Sequence, residues 1–375
     1  MTARAYGHGL VAGAFCPPHA VHHHLVRTAL ARCERVTVLV RATEDAALPL
    51  DARVAWLREI HPEALVVTGD TAADLPESVD AVFTAEPYGD AGPGPGLEGA
   101  ELVRVGGWHA EPAGAAPGRG DRGVGGPGRD TGPVAGPGPG GGGPGPCSGG
   151  PASGPGGHGF GPRGLGSGAG GPGPDDAAVL ADPPGHWDLL EAPVRAALAR
   201  RVVVLGAGST GATTLARALT GHYRRRGGVW ARTRCLAAEP RADRERESRD
   251  FPVAAQRRAE DEERAAREGS PLLVCDGDAF AATIRHEGRF GTRSPGTCAV
   301  AARGRQHLWL LTDHRGVPRG PDPEDLRAWT TARLLTRLIR TGRPAVLLSG
   351  PPEERLATAV AAVDALLARP WEVRR

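Results

Sequence analysis

Val202-Val203-Val204-Leu205-Gly206-Ala207-Gly208-Ser209-Thr210-Gly211-Ala212-Thr213-Thr214 is the stretch on which the fold of this chain turns. Four apolar residues read as a buried strand, the glycines as a tight turn, and Leu215-Ala216-Arg217-Ala218-Leu219 as the opening of a helix. A strand that turns through glycines into a helix aims consecutive backbone N–H groups at one point, which suits a phosphate. In the pattern G-x-x-x-x-G-K-[ST] the lysine reaches the β- and γ-phosphate oxygens and the hydroxyl holds Mg²⁺. Gly206 and Gly211 take the two glycine positions, Ala212 stands in the lysine position and Thr213 supplies the hydroxyl. The nucleotide-binding residues expected are Gly206, Gly208, Ser209, Thr210, Gly211, Ala212, Thr213 and Thr214. No lysine occurs anywhere in the 375 residues, so any cation over the phosphates is arginine or metal.

A glycine-rich loop alone marks a tight turn as often as a site, so partners are needed downstream. Pro271-Leu272-Leu273-Val274-Cys275-Asp276-Gly277-Asp278 is an apolar strand that ends in two carboxylates. That arrangement places an acid beside the Mg²⁺ of a phosphate-transferring site, with Thr213 and Asp276 as the metal's ligands. The plainer reading is a strand and a polar turn. An arginine-bearing segment follows, and Arg293, then Arg289, are the candidates to stabilise charge on a transferring phosphoryl group. Residues 307–311 and 345–348 read as further buried strands. The charged stretch 257–267 reads as a helix with a solvated face.

Near the N-terminus, Gly13-Ala14-Phe15-Cys16-Pro17-Pro18-His19-Ala20-Val21-His22 follows one strand and opens a helix. Histidines three apart lie one turn from each other. At a helix N-terminus, where backbone donors favour anions, they suit the triphosphate of a nucleotide and the charge that develops in adenylyl transfer. Zinc is the weaker alternative, since no cysteine or acid at a fitting spacing completes a ligand set. Strand and helix patterns alternate from here to about residue 90, which predicts a parallel α/β sheet.

Residues 92–174 differ in kind. Glycine and proline dominate, large apolar residues are few, and the segment lacks the apolar area to offset chain entropy, apart from a strand-like piece at 102–105. The organisation expected is therefore 1–91, a Gly/Pro-rich tract over 92–174, and 175–375. A net charge of +2 with 23% charged residues argues against bulk nucleic acid as partner. Six scattered cysteines, without C-x-x-C pairs or a secretory leader, suggest a reducing cytoplasm, and no apolar run reaches membrane-spanning length.

The Gly13 to His22 run resembles the G-x-F-x-P-x-H-x-G-H signature of nucleotidylyltransferases, above all the adenylyltransferase half of NadR-type bifunctional proteins, with Val21 in place of the motif glycine. Residues 202–223, 250–256, 310–313 and 348–357 resemble the ribosylnicotinamide kinase half of the same proteins, in the same order. The resemblance implies an α/β fold: an N-terminal Rossmann-like nucleotidylyltransferase domain, interrupted by the tract, and a C-terminal P-loop kinase domain, both with parallel sheets and flanking helices. It implies ATP as substrate with Mg²⁺, nicotinamide riboside as phosphoryl acceptor, and nicotinamide mononucleotide at the N-terminal site, and it leaves room for a homo-oligomer. Gly13, Phe15, His19 and His22 would serve adenylyl transfer. Glu239 would engage the acceptor, Asp276 the metal, and Asp278 would help orient the acceptor. The family's Ser/Thr-rich motif that ends in arginine falls on 175–180, where Ala177 and Leu180 stand for the threonine and the arginine, so adenylyl transfer is expected to be impaired. Two other readings compete: a nucleotide-binding regulator without turnover, and a chain whose central tract is an out-of-frame reading of GC-rich DNA.

Overall fold

Two five-stranded sheets, each wholly parallel, account for every strand among the described residues. The computed structural model describes residues 4–42, 47–71, 75, 77–85, 97–106, 175–238, 247–317 and 322–371. Met1–His109 and Pro172–Arg375 pack as one compact unit.

The first sheet comprises β1 (Tyr6–Gly13), β2 (Cys33–Val40), β3 (Leu65–Thr68), β4 (Ala81–Ala85) and β5 (Glu101–Val105), in the order β3-β2-β1-β4-β5. Helices α1 (Ala20–Arg32) and α2 (Leu50–Ile60) make the crossovers on either side of β2. Val36 and Val38 to Val40 are at most 2% exposed, as expected of parallel strands covered on both faces. The sheet extends beyond residue 91. Its edge strand β5 comes from the stretch at 102–105, which pairs in register with β4 from Ala81↔Glu101 to Ala85↔Val105. Val103 is buried in the core from this edge strand, and Val105, two residues on, packs partly buried against the same cluster.

A 3₁₀ turn (Trp187–Leu189) precedes α4 (Ala192–Leu198), whose first turn holds Pro193, where the missing N–H has no intrahelical partner to lose. A short helix α3 (Asp176–Ala181) comes before both.

The second sheet holds β6 (Arg200–Gly206), β7 (Arg234–Leu236), β8 (Leu272–Asp276), β9 (Leu308–Thr312) and β10 (Ala345–Leu348), in the order β10-β9-β6-β8-β7. It carries α5 (Ala212–Arg224), α6 (Asp250–Glu268), α7 (Ala279–Phe290), α8 (Pro295–Ala302), α9 (Glu324–Arg340) and α10 (Pro352–Leu367). Every residue of β8 and β9 is buried. The solvated reading of 257–267 is corrected at two positions: Arg258 and Glu262, one turn apart on α6, are 6% and 2% exposed. They face the sheet, where strand-end carbonyls receive the guanidinium.

The largest apolar cluster joins the halves. Leu48 and Trp56, from the first sheet's side, pack with Val179, Trp187, Leu190, Val194 and residues of the second sheet. Arg27 pairs with Glu191 at 2.9 Å, and Arg267 with Glu59, across the same boundary. No helix among the described residues is long and apolar enough to cross a membrane.

Candidate functional site

Position 206 cannot carry a side chain. A Cβ on Gly206 would lie 2.1 Å from Thr312 Oγ1 and 2.2 Å from Thr210 Oγ1. Those hydroxyls are 2.7 Å apart, and the carbonyls of Ala207 and Leu205 lie within hydrogen-bond reach of them, so the loop is knotted to the end of β9. Ser209 (φ 62°) and Gly211 (φ 86°) take left-handed backbone conformations, and α5 starts at Ala212. Ser209, Gly211, Thr213 and Thr214 are exposed, whereas Thr210 is buried. The strand, loop and helix expected at 202–214 are thus built with free N–H groups at the head of α5.

Arg355, at the start of α10, fixes the loop from behind. It is 5% exposed and donates to Thr210 O (3.0 Å), Gly350 O (2.7 Å) and Arg315 O (3.2 Å). Sequence reasoning assigned it no role. One arginine among many carries no local signal that its fork meets three carbonyls. Asp322 is a second unanticipated neighbour: a Cβ on Gly208 would lie 1.7 Å from its Oδ2, so its carboxylate rests on the loop.

One strand over, Val204 pairs with Asp276, which puts this carboxylate at the loop's end of the sheet at 6% exposure. Arg258 anchors its backbone, donating to Asp276 O (3.1 Å), Gly277 O (2.7 Å), Leu236 O (3.2 Å) and Ala237 O. A cleft is lined here by Arg258, Asp276, Gly277, Asp278 and Arg285. Asp278 lies in the cleft's wall with both oxygens engaged: Oδ1 accepts from Ala281 N (2.8 Å), capping α7, and Oδ2 from the Trp309 indole (3.0 Å). Burial pushes its carboxyl up, against the pull of those donors. Glu262 is raised to about 7, by burial first and by nearby Asp278 second. Arg293 stands exposed between α7 and α8, and Arg289 is exposed near the end of α7. Glu239 lies outside the described residues.

In the first sheet, β1 delivers Gly13 and then Phe15, which is buried in a left-handed conformation (φ 50°) with its ring 4.9 Å from that of His22. Arg53, almost wholly buried, donates to Ala14 O and Arg41 O and holds this turn. His19 is the N-cap residue of α1, and His22 Nδ1 accepts its backbone N–H at 3.3 Å. Both rings face Asp176, the first residue of α3. His19 Nε2 is 3.1 Å and His22 Nε2 3.4 Å from Asp176 Oδ1, and Cys16 N–H donates to Oδ2 at 2.8 Å. Burial and the neighbouring His19 lower His22 to about 3, so it is neutral near pH 7. Burial alone would raise the Asp176 carboxyl, but hydrogen bonding to His19, the nearby His22 ring and the Cys16 N–H bring it below the usual range. The acidic partner that sequence spacing did not supply comes from more than 150 residues away.

A family model described as an AAA domain matches residues 201–355. Two solved structures match over the whole length. One is NadR protein in complex with NAD and AMP-PNP, at TM-score 0.60 and 16% identity, covering 100% of this chain and 99% of that one. The other is NadR protein in complex with NR, at TM-score 0.58 and 14% identity, with the same coverage. No curated protein matches the chain. The chain therefore has the two-sheet fold of the NadR structures, with an AAA-type P-loop domain as its second half.

Proposed function

We propose that this chain is a degenerate NadR-type protein of NAD biosynthesis or salvage, in which the second half transfers the γ-phosphoryl group of ATP to nicotinamide riboside. The observation that supports this most is the pairing of β6 with β8, which sets Asp276 beside a loop ending in the exposed Thr213. Oxygen donors of this kind suit Mg²⁺, and no ion pair or hydrogen bond engages the Asp276 carboxylate among the described residues. Thr213 and Asp276 would hold the metal, which neutralises charge on the phosphates when bound. Backbone N–H groups of residues 208, 209 and 211–213 would donate to the phosphate oxygens. Arg293 and Arg289, both exposed, would supply the cation that Ala212 lacks. Asp278 would orient the acceptor through α7, whose first turn it fixes, and Glu239 would bind the acceptor. The NadR structures were solved with NAD and AMP-PNP and with NR, which fits nucleotide and riboside partners here.

The first half, with Gly13, Phe15, His19 and His22, is read as a nicotinamide-mononucleotide adenylyltransferase fold with impaired transfer, because Val21 and Ala177 replace motif residues. A second reading, a nucleotide-binding regulator without turnover, is favoured by one observation, the Asp322 carboxylate on Gly208 beside a loop without lysine. Incubating the full chain with Mg-ATP and nicotinamide riboside separates them. Nicotinamide mononucleotide formed in proportion to enzyme supports the kinase. ATP binding with no product discards it in favour of the regulator.

A further inference from the structure

We infer that the carboxylate of Asp176 is the resident anion of the first half's phosphate site, taking in cis the place of a nucleotide phosphate and closing that site. The location comes from topology. β1 has β2 on one side and β4 on the other, so the strand order reverses at its carboxyl end, and open parallel sheets bind ligands at that crevice. The N-terminus of α1 opens there, with donors that favour an anion. In this chain an anion is already present, bound through both oxygens by one backbone N–H and two imidazoles.

Three details make this a bound ligand and not a helix cap. α3 is capped by its neighbour, since Asp175 Oδ1 accepts Ala178 N–H at 2.7 Å, so Asp176 is free to point away from its own helix. His22 Nδ1 accepts the His19 N–H, which puts the ring proton on Nε2, the nitrogen that faces Asp176. His19 is fully buried, and its Nδ1 has no partner, so its polar contact is spent on this carboxylate.

The same three atoms, within 4.8 Å of one another, resemble a metal ligand set. The donor pattern argues against it. A metal on Nε2 needs that lone pair free and the other ring nitrogen donating to an acceptor. Here His22 Nδ1 is itself an acceptor and His19 Nδ1 faces none.

The inference deepens the reading of an impaired first half and rests on it for the identity of the displaced group, a phosphate chain. It is tested by counting sites for inorganic tripolyphosphate on the full-length chain by titration calorimetry. Asp176→Ala should bind one more equivalent than the wild type, and Asp176→Ala with His22→Ala should return to the wild-type number. Because a difference is read, failure of the P-loop half to bind changes both counts and leaves the difference intact. ATP as a second probe shows whether the opened site takes a nucleotide. A folded Asp176→Ala variant with no added site overturns the inference, as does one equivalent of Zn²⁺ bound by the wild type and lost in Asp176→Ala. Should the alanine variant not fold, ¹⁵N NMR of the wild-type imidazoles decides: His22 protonated on Nε2 is expected, and protonation on Nδ1 overturns it.

Discussion

Replacing Ala212 with lysine tests whether the loop has kept the geometry of phosphoryl transfer. Ala212 is the first residue of α5, half-buried against the apolar layer, between Gly211 in its left-handed turn and the exposed Thr213. A lysine there would extend along the mouth of the loop. One well-placed donor on developing charge contributes roughly 3–4 kcal/mol to the transition state, or about 10²–10³-fold in kcat. The carboxylate of Asp322 already rests on Gly208 and would draw an ammonium toward itself, so Ala212→Lys alone should recover part of that factor. Ala212→Lys with Asp322→Asn should recover most of it. The assay is nicotinamide mononucleotide formation from Mg-ATP and nicotinamide riboside at saturating substrate, with ATP affinity measured in parallel. If the double variant binds ATP as the wild type does and gains less than about threefold in kcat, against the 10²–10³ expected of such a donor, the reasoning fails. The loop would then hold nucleotide in a non-transferring pose.

Asp276→Asn should leave the fold intact, because Arg258 binds the backbone and not the side chain, while Mg²⁺-dependent turnover falls by about 10²-fold or more; a pre-steady-state ATP assay reads this. Arg355→Ala leaves three carbonyls without their donor and should cost about 2–4 kcal/mol in urea unfolding, with weaker ATP binding than any surface arginine variant shows. Glu262, raised from 4.5 to about 7 in the folded chain, holds a proton that the unfolded chain releases. Its contribution is therefore full below pH 4.5 and is lost as pH rises through about 7, on the order of 3 kcal/mol over that window. Denaturation midpoints across pH 4–8 should show the decline in the wild type and lack it in Glu262→Gln.

The sequence was most legible where the signal is local. The strand, loop and helix at 202–214, the strand ending at Asp276 and the helix opening at His19 are each written in consecutive residues, and each forms as read. What escaped is what the fold brings together from afar. Arg258 and Glu262 look like surface charges until strand-end carbonyls are placed against the first and the Gln306 amide against the second. Asp176 lies in the 175–180 stretch, where nothing local ties it to the N-terminal histidines. That its carboxylate meets His19 and His22 depends on where α3 lands against α1, which no spacing encodes. β5 was visible only as a fragment, because the composition around it masked a strand held by two inward valines, Val103 and Val105.

The packing of Leu48 and Trp56 into the second half's core has a thermodynamic corollary. Two sheets that share one apolar cluster lose most of its contacts together, so heat should melt them in one calorimetric transition. Any ligand held by the folded chain alone then protects both halves equally, by RT ln(1 + [L]/Kd). Nucleotide on the loop after β6 would raise the melting temperature recorded by a probe in β1 as much as by one in β9. Trp56→Ala, at a cost of about 3–5 kcal/mol, should split that transition into two.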